Sequence, residues 1–241
     1  MSVRIAMWSG PRNISTAMLR AFENREDTVV VDEPLYACYL AATGAEHPGR
    51  EEIIQAGDTD WRSVVARLTG PIPGASAVYY QKHMTHHLLP AMDRHWLTRL
   101  SHAFLIRDPR AVVRSYARAR PLRSAEELGF PQQAALFEEI RARTGEIPPV
   151  IDAEHFLTDP RGQLQALCER LGIAFSERML SWPSGPRDSD GIWAGHWYGQ
   201  VWQSTGFGPP RPPDTTPLAP ELATLVAACE PHYQRLLAFC L

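Results

Sequence analysis

Four groups of residues in this chain have types and spacings suited to chemistry. The first is Gly10-Pro11-Arg12-Asn13-Ile14-Ser15-Thr16, where an arginine precedes two hydroxyls at the opening of a predicted helix. A helix start aims backbone N–H groups and the positive end of its dipole at one point, which suits a phosphate or sulfate. Arg12 adds a planar fork of donors that matches such oxygens, and Ser15 and Thr16 donate beside it. Taken alone, the stretch is equally compatible with an ordinary strand-to-helix turn carrying a surface arginine. It is not a Walker A loop, because the lysine is absent and Ile14 stands where a second glycine is expected. A nucleotide with a short 5′ group, held without metal, therefore suits it better than a nucleoside triphosphate.

The second group is Asp32-Glu33-Pro34, which leaves a β-branched run. Ligands of open α/β sheets sit beyond the carboxyl ends of strands, so Glu33 is a candidate base, against the alternative of a solvated loop acid. The third is Gln81-Lys82-His83-Met84, expected just past a strand at 75–80, which makes His83 a second candidate base. His83 and His87 have the spacing of a helical metal pair, but His-Glu-x-x-His is missing and no third ligand follows, so no metal is expected. The fourth is Arg107, at the end of a buried strand, with Ser115 eight residues on. That spacing is about two helical turns, which lets the arginine and the hydroxyl converge on one anion. Six arginines fall between Arg107 and Arg123, and Arg110, Arg114 and Arg118 among them read as a solvated helix face.

The elements that must position these groups alternate between strand and helix. Strands are predicted at Arg4–Trp8, at Thr28–Val31 beside the first, at Ala75–Tyr80, at Ala103–Ile106 and briefly at Val150–Ile151. Helices are predicted over Ser15–Arg25, Glu51–Leu68 and Gln132–Arg143, and from Pro109 toward Ala119 with Asp108 as its cap. A further helix, capped by Thr158 or Asp159 and ending at Gly172, turns Leu164, Leu167, Cys168 and Leu171 inward. Such alternation predicts an α/β fold of three layers, αβα, around a mostly parallel central sheet. Segments 39–73 and 185–207 read as lid or substrate-side insertions. Six prolines from Pro209 to Pro220 form an extended connector before a terminal helix on the outside of the fold.

A chain of 241 residues, 44% hydrophobic and 21% charged, is expected to form one domain over 1–241. Its net charge of −3 argues against a nucleic-acid partner, so any anion site must be local. No apolar run approaches a membrane span and no signal-peptide pattern opens the chain, so the expected location is cytoplasmic with no membrane partner. Cys38, Cys168, Cys229 and Cys240 form no Cys-x-x-Cys pair and are expected to be reduced. The partner expected is a small-molecule acceptor, and a homodimer is compatible with the reading.

Together these pieces resemble the sulfotransferases that use 3′-phosphoadenosine 5′-phosphosulfate, PAPS, and release the bisphosphate PAP. Trp8 through Thr16 is similar to that family's 5′-phosphosulfate loop, and Ile106-Arg107-Asp108-Pro109 through Ser115 to its 3′-phosphate motif. His155–Pro160 and Leu167–Phe175 are similar to a structural helix region of bacterial members. The resemblance implies a P-loop-like fold, PAPS as co-substrate without a metal, and donor contacts from Gly10, Pro11, Arg12, Asn13, Ile14, Ser15, Thr16, Arg107 and Ser115. It implies Glu33 as the first candidate base and His83 as the second, with Arg12 and Lys82 stabilising charge on the sulfuryl group. In this reading Arg187 adds a 3′-phosphate contact, and Trp193 and Trp197 cover the adenine or the acceptor. Two departures stand out: Ile14 replaces a glycine of the first loop, and Lys82-His83-Met84 does not reproduce the Lys-x-His of the phenol-sulfating branch. The competing readings are a nucleotide kinase or other phosphotransferase, and a PAP- or PAPS-binding protein without turnover.

Overall fold

The computed structural model describes residues 2–122, 124–210, 212 and 214–241. Arg123 of the arginine run and Pro213 of the proline run lie outside them. Five strands form one sheet: β1 (Val3–Ser9), β2 (Thr28–Asp32), β3 (Val78–Met84), β4 (Ser101–Ile106) and β5 (Val150–Asp152). All pairings are parallel, in the order β2-β3-β1-β4-β5. The helices are α1 (Ser15–Glu23), α2 (Tyr36–Thr43), α3 (Arg50–Ala56), α4 (Trp61–Thr69), α5 (Pro109–Ala117), α6 (Phe130–Thr144), α7 (Ala153–Thr158), α8 (Pro160–Arg170), α9 (Ala194–Trp197), α10 (Gly199–Trp202) and α11 (Pro220–Leu237).

Alternation along the strands divides the core into two layers, as a sheet covered on both faces requires. Ile5, Met7, Ala103 and Leu105 meet Met18, Leu19 and Phe22 of α1 and Leu164, Leu167 and Cys168 of α8. Ala6, Trp8, Phe104 and Ile106 meet α4, α5, α6 and α11 on the other face, through Leu68, Val113, Phe137 and Tyr233 among others. The three-layer α/β architecture is therefore as expected.

Four local expectations are corrected. The run at Thr28–Val31 does not pair with β1, because β3 inserts between them. β3 is buried at every position and takes a partner on each side, whereas β2 is half-buried and suits an edge. β3 itself begins at Val78 and runs through Gln81-Lys82-His83-Met84, so these residues lie inside the strand. Their polar groups are satisfied there, Gln81 by the Leu68 carbonyl at 2.9 Å. The helix expected over Glu51–Leu68 is two: Gly57 interrupts it where an added Cβ would meet the Ala37 Cβ at 2.5 Å, and Asp60 caps α4 by accepting from the Arg62 N–H. The arginine stripe of α5 is not merely solvated. Arg110 donates to the Thr216 carbonyl at 2.7 Å, and Arg114 and Arg118 pair with Asp214 at 3.3 and 3.1 Å, so the stripe anchors the proline-rich connector.

Candidate functional site

Because every strand runs the same way, the loop after β1, Glu33 after β2 and Arg107 after β4 share one edge of the sheet. The loop after β1 is fastened at several points. Thr85 donates to the Ser9 carbonyl at 3.2 Å, Gln133 to the Trp8 carbonyl at 3.1 Å and Asn13 to the Leu105 carbonyl at 3.0 Å. Gly10 lies so close to the chain at Leu128 that a Cβ would stand 2.6 Å from its carbonyl oxygen. Arg12 takes a positive φ of 59°, which turns the loop back over the start of α1. The N-cap of α1 is Ile14, whose side chain has no acceptor, and the first helical bond runs from the Met18 N–H to the Ile14 carbonyl. The donors of the first turn thus lack a side-chain cap and point at the loop mouth beside the nearly buried hydroxyls of Ser15 and Thr16. Ile14 packs its side chain into the core beneath, which accounts for an apolar residue in this place.

The two arginine groups meet. Arg12 Nε donates to Ser115 Oγ at 3.0 Å, and Arg107 Nη1 donates to the Arg12 carbonyl at 2.8 Å. Asp108 caps α5 by accepting from the Ala111 N–H, with Pro109 at its first turn, which fixes Ser115 two turns along on the face toward Arg12.

Beside this junction lies a buried ionic cluster. Lys82, the only lysine in the chain, donates to Asp32 Oδ1 at 2.7 Å, Glu33 Oε1 at 2.6 Å and the Tyr198 hydroxyl at 2.9 Å. Tyr198 in turn donates to Asp32 Oδ2 at 2.5 Å and accepts from the Trp193 indole at 3.2 Å. Glu33 has a positive φ of 41°, and His87 Nδ1 stands 3.9 Å from its second oxygen. Burial raises the Glu33 carboxyl above its usual range, with the Asp32 charge adding to the rise and Lys82 opposing it. Burial works against the Lys82 charge, but Asp32 and Glu33 outweigh it and hold its pKa well above that of a free lysine. All three ammonium hydrogens of Lys82 are thus taken by Asp32, Glu33 and Tyr198. Asp32 and Tyr198 escaped the sequence reading. Asp32 adjoins Glu33 in a visible pattern, but nothing local marks Tyr198, which is 166 residues from Asp32.

His83 is corrected most. It lies on the opposite face of the sheet, 1% exposed, stacked on the Trp8 ring at 4.4 Å, and burial brings its pKa down to about 3. Its ring is turned to the face opposite the one that Lys82 takes. Arg187 donates to the Pro183 carbonyl and has its own N–H on Asp190, and Asp190 is bound to Arg20 of α1. Trp193 packs edge-on against Tyr36 at 5.1 Å and lines a cavity of about 790 Å³ together with Glu33, Ala37 and Leu68. Trp197 is not among the residues that line this cavity. A second cavity, of about 390 Å³, lies against Tyr39, His86, Tyr116 and Arg120. Ala37 and Tyr39 project from opposite faces of α2, so the two cavities flank that helix. Among the described residues no cluster of three metal-ligating side chains occurs, and no helix is long and apolar enough to cross a membrane.

A family model described as a sulfotransferase domain matches residues 3–239. The chain belongs to the sulfotransferase family. Two curated Arabidopsis thaliana proteins align with this sulfotransferase domain. Branched-chain-amino-acid aminotransferase-like protein 1 is 37% identical over 216 residues, and its counterpart, protein 2, is 34% identical over 215. Each alignment covers 89% of this chain and 38% of the relative, so the chain spans well under half the length of the curated relatives it matches. Among solved structures, the sulfotransferase domain from the curacin biosynthetic pathway superposes with a TM-score of 0.56 at 15% identity, covering 95% of this chain and 98% of that one. The sulfotransferase from Alicyclobacillus acidocaldarius gives 0.55 at 14% identity, over 99% and 95%. The α/β fold with its central parallel sheet is thus the P-loop-like fold of sulfotransferase domains.

Proposed function

We propose that this sulfotransferase domain moves the sulfuryl group of PAPS to a hydroxyl or amine of a small-molecule acceptor and releases PAP. The observation that carries the reading is the junction of the two anion-binding groups, Arg12 to Ser115 and Arg107 to the Arg12 carbonyl, at the uncapped start of α1. One molecule with phosphates at the 3′ and 5′ positions of a single ribose suits two such groups on one sheet edge. The first turn of α1, Arg12, Ser15 and Thr16 would hold the 5′ end, and Arg107 with Ser115 the 3′-phosphate. The donor supplies the sulfuryl group itself. Glu33 accepts the acceptor proton, and its raised pKa suits a base. Lys82 keeps that carboxylate ionised and in place rather than touching the sulfuryl group, which leaves Arg12 as the cation aimed at developing charge. An amine-transfer reading through a lysine Schiff base is not supported, because such a lysine must lose its proton and Lys82 is held charged by two carboxylates.

Calorimetry with PAP, adenosine 5′-phosphate and ATP with Mg²⁺ tests this. PAP is expected to bind most tightly. Arg107→Ala is expected to weaken PAP roughly 10- to 100-fold, the worth of one charged hydrogen-bonded contact, and to leave adenosine 5′-phosphate nearly unchanged. Equal losses for both ligands would sink the 3′-phosphate assignment, and a preference for ATP with Mg²⁺ would favour a kinase.

A further inference from the structure

We propose that Asp32 and Tyr198 are positioning residues that hold the sole lysine, Lys82, against Glu33, and that segment 185–207 completes the site through this one phenol. The inference rests on Glu33 being the base, as read above.

The geometry leaves little freedom. An ammonium has three hydrogens and no acceptor, and the three atoms around Lys82 Nζ are Asp32 Oδ1, Glu33 Oε1 and the Tyr198 oxygen, all within 2.9 Å. Lys82 and Asp32 are 1% exposed and Glu33 11%, so water competes weakly for these bonds. The Asp32 carboxylate is bridged, one oxygen on the ammonium and the other on the Tyr198 hydroxyl at 2.5 Å, which fixes its plane. In the parallel register Asp32 lies directly opposite Lys82, so the pair spans adjacent strands while Tyr198 arrives from a segment far along the chain. That segment is anchored to α1 by Asp190 on Arg20 and by Ser189 on Glu23, the Trp202 indole bracing Asp190 from within at 2.9 Å, and Tyr198 carries its hydrogen bonds to Lys82 and Asp32.

The charges give the arrangement a use. One cation serves two carboxylates, so Asp32 takes part of the stabilisation that would otherwise go to Glu33 and adds its own repulsion. The groups facing Glu33 are Lys82 from β3, His87 from the turn after β3, Asp32 on its own strand, Tyr36 on α2 and Tyr198 from segment 185–207. Burial keeps His87 far below the usual histidine range, with the neighbouring His86 adding to the fall.

Having one lysine makes the test clean. Protein grown with lysine labelled with nitrogen-15 at Nζ gives one side-chain signal, whose exchange with water reports the clamp and whose shift with pH reports Glu33. Tyr198→Phe is expected to speed exchange of the ammonium hydrogens at least roughly tenfold by removing one of three acceptors, with the circular dichroism spectrum and PAP affinity unchanged. Asp32→Asn is expected to lower the midpoint of the pH-dependent shift by roughly half a unit or more, because a like charge leaves and Lys82 turns wholly to Glu33. A merely structural role would not move that midpoint downward. Exchange within twofold of wild type in Tyr198→Phe would overturn the inference, as would an unmoved or raised midpoint in Asp32→Asn. If Asp32→Asn fails to fold, Tyr198→Phe decides alone. Wild-type protein that binds no PAP would remove the donor reading and leave these signals as evidence on the clamp. PAP binding with unaltered lysine signals would remove the clamp alone.

Discussion

Glu33 concentrates the unusual features of single residues in this domain: left-handed backbone, burial, and contact with the only lysine. A non-glycine residue at positive φ costs about 1–3 kcal/mol and persists where its surroundings over-determine it, here the Glu33 N–H on the Lys82 carbonyl at 2.9 Å and the Tyr36 N–H on its own carbonyl. Glu33→Gln is expected to cut turnover by at least ~10²-fold and to leave PAP affinity within twofold, measured by product formation and calorimetry on the same preparations. A raised folded pKa means that Glu33 is ionised only above that value. The rate should therefore fall on acidification with a midpoint above the ordinary 4.5, and a midpoint at or below it would contradict the assignment. Glu33 was legible because it follows a β-branched run. Lys82 and His83 lie inside β3 rather than just past it, since the strand continues four residues beyond the expected Tyr80 and carries them into the sheet. Strand alternation then sends His83 to the Trp8 face and leaves Lys82 to the ionic cluster.

At the scale of elements, the site depends on how the start of α1 is held against its neighbours. Gly10 is the tightest point, because its neighbour is the backbone oxygen of Leu128 and not a side chain that can rotate away. Gly10→Ala is expected to push the loop out of register with α5, weakening PAP roughly tenfold or more while the unfolding midpoint drops only modestly. Unchanged PAP affinity would show that the loop does not need this approach. The loop, α1 and α5 were all readable, because Asp108-Pro109 and Ser15-Thr16 are local signals whose physics lies within one turn of helix. The break between α3 and α4 was not, since Gly57 follows from its contact with Ala37 on another helix. The arginine stripe misled for the same reason: its partners, Asp214 and Thr216, lie about a hundred residues away.

For the whole molecule, the buried histidines predict an acid-sensitive fold. Burial lowers His83 to about 3 and His102 to about 4, against 6.5 when unfolded. His102 accepts from the Trp8 indole at 3.0 Å and meets the Leu97 carbonyl at 2.9 Å, an arrangement that suits the neutral ring. With folded values depressed, this stability is present above pH 6.5 and lost as pH falls, because the unfolded chain binds protons that the folded one refuses. Each such histidine costs about 2 kcal/mol at pH 5. Urea midpoints at pH 7.5 and 5 should differ strongly in wild type, and the difference should shrink in His83→Gln. Equal pH dependence in the two proteins would count against this account. By itself the sequence determined the alternation of strand and helix, the loop at Gly10–Thr16, the place of Glu33 just after a strand, and the Arg107–Ser115 spacing, because each rests on interactions between near neighbours in the chain. Only the tertiary structure decided that β3 divides β1 from β2, that Arg12 reaches Ser115, and that Tyr198 and Asp32 enclose Lys82. Those facts depend on which distant groups a shared sheet edge brings within 3 Å, and no spacing along the chain encodes that.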